Sequence, residues 1–176
     1  MKHLFSTLAL LLLISCGTKK NQIDTTNVMH VTPQVNTVIT VFKKIPYCGG
    51  ARPTDDMLNR KKPIMDAFVL IDEKGNAQTV KTNEMGDLKL VLSKGKYRLK
   101  ETAKNVPFLT YFISQKALKS DDIKMGSEAC YKEWWAKNLV DFEITDTTTI
   151  FKTDCYLFSH CYTNNPCDTY TGPIRP

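Results

Sequence analysis

The chain has 176 residues, 42% of them hydrophobic and 24% charged, a length that suits one domain with a real core. Its 24 basic and 18 acidic residues leave a formal charge of +6. Lys43, Lys44, Arg60, Lys61, Lys62, Lys94, Lys96 and Lys100 are scattered along the sequence and no nucleic-acid motif accompanies them, so a nucleic-acid partner is excluded and a solvated basic surface is expected.

The chain opens "MKHLFSTLALLLLISCGTKK", with basic Lys2 and His3, an apolar run from Leu8 to Ile14, then Ser15 and Cys16. That run is too short to span a bilayer, which takes roughly 20 apolar residues, and reads as a secretory signal over residues 1–15. Leu13-Ile14-Ser15-Cys16 also resembles a bacterial lipobox. The resemblance implies cleavage before Cys16 and acylation of its thiol, so that the chain sits on a membrane without crossing it. Gly17 after the cysteine resembles outer-membrane sorting, and "GTKKNQ" lacks an acidic surface-export run, which implies a lipid-anchored envelope protein facing the periplasm. Residues 16–34, polar and rich in Thr and Asn, read as a flexible tether. His30 on that tether is expected to do nothing.

From residue 35 onward the pattern is that of one β-domain. "TVITVFKK" (37–44) alternates Ile39 and Val41 against Val38, Thr40 and Phe42. "DAFVLID" (66–72) is a short apolar run, as in a strand covered on both faces. "EKGN" turns into "AQTVKT", and "NEMGD" turns into "LKLVLSKGKYRLKE", with Leu88, Leu90 and Leu92 on one face and Tyr97 and Leu99 sharing it in the next strand. Gly75, Gly86 and Gly95 stand where hairpin turns need positive φ. "VPFLTYFIS" reads as a strand or a bent segment. "SEACYKEWWAKN" (127–138) is a helix, with Ser127 as its cap, a Glu133–Lys137 pair, and Cys130 and Trp134 on a core-facing side. "VDFEIT" and "TTIFKTDCYLF" give two more strands. The closing "NNPCDTYTGPIRP" leaves no room for regular structure. The expected fold is therefore mainly β: an antiparallel sandwich of about seven strands with one short helix, filling residues 35–176 and ending in an irregular strap from about residue 159.

"LIDEKGNAQTVKTNEMGDLKLVLSKGKYRL" resembles the carboxypeptidase-regulatory-like, or transthyretin-like (prealbumin-like), sandwich. "PYCGGARPT", "CYKEWW" and "NPCDTYTGPIRP" together resemble uncharacterised lipoproteins of Bacteroidetes-type bacteria. That second likeness implies a fold and an address but no activity.

The mature chain would carry Cys48, Cys130, Cys155, Cys161 and Cys167 besides Cys16. Export to an oxidising compartment makes disulfides the expectation. Zinc would want CxxC or HxxxH pairs, and a thiol-redox site would want CxxC; neither occurs. The lipoprotein resemblance implies roles for Cys48, Cys130, Cys161 and Cys167 and leaves Cys155 outside its motifs. Cys155 lies within an apolar strand and is expected to be a free buried thiol. Two bridges among the other four follow, with Cys161 and Cys167 each tied to a distant partner; the connectivity stays open.

"CGGARP" lacks the GK[ST] of a phosphate loop. The acid pairs Asp55-Asp56 and Asp121-Asp122 are sequence neighbours in loops, which does not place two carboxylates across a cleft, and no GxSxG elbow appears. No cofactor or metal is expected. The aromatic residues near the cysteines offer a binding surface: Trp135, about 100° round its helix from Trp134, with Tyr47, Arg52, Tyr162 and Tyr170. Its ligand would be an envelope protein or a carbohydrate. The resulting expectation is a lipid-anchored binding or structural module without catalysis. The alternative is an envelope enzyme, hydrolytic or thiol-redox, with an unrecognised site.

Overall fold

A computed structural model describes residues 33–173. The predicted leader, Cys16, His30, nearly all of the tether and the last three residues of the strap lie outside the described residues.

The long first strand, β1 (Gln34–Lys44), organises the molecule. Alternation along it buries Val35, Thr37, Ile39 and Val41 and turns the residues between them outward. Three strands pair with β1: β2 (Lys61–Pro63), β5 (Asp87–Ser93) and β9 (Ile150–Leu157). β5 runs antiparallel along the first part of β1, with Val35 opposite Leu92 and Ile39 opposite Leu88. β2 takes the remaining positions, with Phe42 opposite Pro63. β9 runs parallel, Asn36 opposite Ile150 through Lys43 opposite Leu157. A short helix, α1 (Asp55–Asn59), precedes β2; Thr54 caps it by accepting from the Met57 amide at 3.4 Å.

The second sheet is antiparallel throughout, in the order β4 (Ala77–Lys81), β3 (Ala67–Asp72), β6 (Gly95–Glu101), β8 (Val140–Ile144). The two sheets face each other across one core. Val35, Ile39, Val41, Leu88, Leu92 and Cys155 come from the first, and Phe68, Leu70, Leu99, Phe142 and Ile144 from the second. Phe142 stacks on Phe151 at 4.9 Å between ring centres and ties the sheets together. Each fully buried Leu, Ile or Phe of this set contributes about 1.5–3 kcal/mol of transfer free energy. Among the described residues seven strands have five residues or more, so the sandwich has the expected size. Its parallel β1–β9 pair departs from a purely antiparallel plan.

A second, smaller cluster lies in a helical layer. Here "VPFLTYFIS", expected as a strand or a bent segment, is helical: residues Phe108–Ala117 form helix α2 after Pro107, whose φ of −53° suits a helix start. Phe108, Tyr111 and Phe112 fall at helical spacing on one side and pack inward, while Leu109 and Ile113 face solvent. Helix α3 (Glu128–Ala136) begins at Ser127, whose hydroxyl accepts from the Cys130 amide at 3.2 Å. Its most buried residue is Tyr131; Cys130 and Trp134, expected on the core side, are half-buried at its flank. Among the described residues there are three α-helices where one was expected. Two short strands, β7 (Ile123–Lys124) and β10 (Thr169–Tyr170), pair across this layer, so the strap carries a little regular structure.

Candidate functional site

The strap is fixed by covalent and polar bonds together. Cys48 pairs with Cys161 and Cys130 with Cys167, at Cα separations of 5.6 and 5.8 Å. Each joins residues distant in sequence, 113 and 37 positions apart. Cys155 is a free thiol in the main core, and burial pushes it up to about 12. A thiol in that state stays protonated at neutral pH and behaves as a small apolar side chain.

The Asp168 side chain, one per cent exposed, is the hub of the strap. Its two carboxylate oxygens accept from the Tyr131 hydroxyl and the Lys119 ammonium group. Asn165, also buried, donates to the Tyr111 hydroxyl at 3.1 Å and accepts from the Cys167 amide at 2.9 Å. Burial first, then the neighbouring Asp168, pushes the Tyr131 phenol well above its ordinary range; burial takes Tyr111 up to about 12. These buried polar groups hold the strap to α2 and α3.

Of the five residues expected to form a binding surface, Trp135 is engaged in packing, and Tyr47, Arg52, Tyr162 and Tyr170 lie about the Cys48–Cys161 bridge and the strap. Tyr162 and Tyr170 stack with ring centres 4.3 Å apart. Tyr47 lies on the turn next to the Cys48–Cys161 bridge and donates from its hydroxyl to the Ala51 carbonyl at 2.7 Å. Arg52 is exposed on the same loop. Trp135, expected to be exposed, is half-buried elsewhere: its indole donates to the Val106 carbonyl at 2.9 Å, meets Phe108 edge-on and lies under Lys100. Trp134 is occupied as well, edge-on to Phe158 and beneath the buried Lys104, whose ammonium pairs with Glu101 at 2.7 Å. Burial holds Lys104 below the usual lysine range.

A different constellation emerges where β1 meets β2. The register sets Lys44 opposite Lys61 and Lys43 opposite Lys62, so the fold brings together lysines that look scattered in the sequence. On the solvent face beside them Phe42 and Tyr156 stack at 5.9 Å. The Lys61 ammonium lies 3.9 Å from the centre of the Phe42 ring and 3.4 Å from both the Tyr156 hydroxyl and Asp154. The bonds to Tyr156 and then Asp154 raise its pKa, so it is fully charged at neutral pH. Lys44 lies 5.6 Å from the centre of the Tyr156 ring. Together with Asn59 at the end of α1, these side chains line a cavity of about 310 Å³. The sequence signal for this site was the pair of dipeptides "KK" at 43–44 and 61–62; only the register joins them.

Among the described residues no three His, Cys, Asp or Glu side chains come together as a metal site, and the single histidine, His160, is exposed.

No family model and no curated protein matches the chain. Two solved structures show some likeness. One is the Bacillus anthracis TIE protein, with a TM-score of 0.34 and 21% identity over 69% of this chain and 17% of that one. The other is GBS52, the minor pilin of the Gram-positive pathogen Streptococcus agalactiae, with a TM-score of 0.35 and 13% identity over 74% of this chain and 47% of that one. The chain thus spans less than half the length of either. At these scores the superpositions fix neither fold nor function.

Proposed function

We propose that the chain is a lipid-anchored, non-catalytic binding or structural module of the bacterial cell envelope, held through Cys16 at the outer membrane and facing the periplasm. The observation that carries this reading is the pairing of Cys48, Cys130, Cys161 and Cys167 into two bridges. Such staples form and persist where thiols are oxidised and are rare in a reducing cytosol. The secretory pattern of residues 1–15 and the lipobox resemblance supply the matching address, and the likeness to Bacteroidetes-type lipoproteins agrees with it. The buried acid, Asp168, is engaged by Tyr131 and Lys119 in holding the strap, which favours a scaffold over a catalyst.

The test is metabolic labelling with an alkyne analogue of palmitate in a Gram-negative host expressing the full chain. Wild-type protein is expected to take the label and fractionate with outer membrane, and Cys16→Ala to lose both properties. Equal labelling of the variant, or recovery of wild-type protein in the cytoplasm with its thiols reduced, would overturn the proposal.

A further inference from the structure

We propose that the cavity lined by Lys44, Asn59, Lys61 and Tyr156 binds an anionic saccharide, a sugar carrying a carboxylate or a phosphate. This deepens the binding-module reading by naming the ligand class, and it does not rest on the lipid anchor.

The first support is energetic. Like charges directly opposite each other on neighbouring strands destabilise the pair. β1 and β2 place one such pair, Lys44 with Lys61, on the face that carries Phe42, while Lys43 with Lys62 points to the other face. β2 gives nothing to the core in return, since all three of its residues are exposed. What its pairing with β1 achieves is the placement of charge. Asp154 is the one carboxylate that forms an ion pair with Lys44 or Lys61 among the described residues, at 3.4 Å from Lys61, so a net positive charge is left on this face for an anion.

The second support is chemical. Ammonium groups of Lys44 and Lys61 form charge-assisted bonds to an oxyanion. The exposed Tyr156 ring, 42% accessible and braced by Phe42, offers an apolar surface for the C–H face of a sugar, and its hydroxyl a polar edge. Asn59 also lines the cavity; its amide nitrogen donates to the Asp55 carbonyl at 2.9 Å, which leaves its side-chain oxygen to accept from a sugar hydroxyl. The volume of about 310 Å³ lies within the range of small-ligand clefts, about 300–1,000 Å³. Lys61 is already held by the Phe42 ring, Tyr156 and Asp154, so little ordering remains to be done on binding.

Full-length protein in neutral detergent micelles, titrated with glucuronate, glucose 6-phosphate and uncharged glucose and followed by amide NMR, tests the assignment. Saturable shifts around Lys44, Lys61 and Tyr156 are expected with the two acidic sugars and not with glucose. The double variant Lys44→Gln, Lys61→Gln is expected to bind them at least tenfold more weakly with an unchanged urea midpoint. Lys89→Gln, Lys152→Gln, which removes the same charge from positions flanking Val38 on the same sheet face, is expected to bind within twofold of wild type. An absence of saturable binding, equal loss in the control pair, or preference for phosphatidylglycerol vesicles over the sugars would overturn the proposal. Sugar binding retained by Cys16→Ala would separate this site from the anchor, whichever way the labelling experiment falls.

Discussion

Tyr131 has no exposure to solvent, and its hydroxyl donates a hydrogen bond to a carboxylate that is itself buried. An unfolded tyrosine ionises near pH 10, whereas folded Tyr131 and Tyr111 hold their protons above that. The folded state therefore binds more protons once pH exceeds about 10, so their contribution is whole below that value and is lost as pH rises through the folded pKa values. Lys104, held below its ordinary range, acts with the opposite sign just below the lysine value, so the comparison needs a variant. Tyr131→Phe is expected to lose about 1.5–3 kcal/mol at pH 7, the worth of a hydrogen bond to a charged group, and to decline less steeply than wild type between pH 10 and 12. Urea midpoints across that range check both statements. At this scale the sequence showed which residues are special but not how they are used. The aromatics beside the cysteines stood out, yet Trp135 went to packing against Phe108. The lysines of the cavity looked like an ordinary solvated surface.

Single elements were legible where one local pattern dominated. Period-two alternation located β1, β5 and β6, the apolar run located β3, and Ser127 with Glu128 marked the start of α3. Gly86 stands at φ +79 in its turn, with the Val41 carbonyl where a Cβ would lie. α2 was missed because Phe, Thr, Tyr and Ile favour strands, and the Phe108–Tyr111–Phe112 spacing was the one helical signal in the segment. β2 was missed because "KKP" has neither alternation nor apolar content. The strap shows how tightly elements fit. A Cβ on Gly126 would lie 2.1 Å from the Cys167 carbonyl oxygen, so the backbone there approaches the strap without room for a methyl group. Gly126→Ala is expected to cost about 1–3 kcal/mol as an overpacking change. Gly50→Ala, which meets nothing within 4 Å, is expected to stay within about 0.5 kcal/mol, and chemical denaturation of both compares them directly.

For the molecule as a whole, the deciding contact joins the beginning of the domain to its end. β9 completes β1 and delivers Cys155 to the core, and a bridge then closes a loop of 113 positions. No local pattern announces a parallel pairing over that distance, which is why the expected sandwich was antiparallel throughout. Truncation after Thr145 is expected to abolish cooperative unfolding and to give aggregates, since β1 then exposes an unpaired edge beside Ile39 and Val41. Removal of the bridge alone, by Cys48→Ser with Cys161→Ser, is expected to keep the native near-ultraviolet spectrum and to lose about 2–5 kcal/mol. Near-ultraviolet circular dichroism and urea titration of the two variants distinguish loss of the strand from loss of the staple.

The placement of β1 between β5 and β9 also has a mechanical consequence. A pull between the chain entering at Gln34 and a ligand held at Lys44 and Lys61 would load this strand along its own length. Its hydrogen bonds to both neighbours lie across that line, so they would be sheared together instead of being unzipped one at a time. Cys48 and Cys161 rivet the chain just past the matched ends of β1 and β9, so the two strands would bear tension as one link.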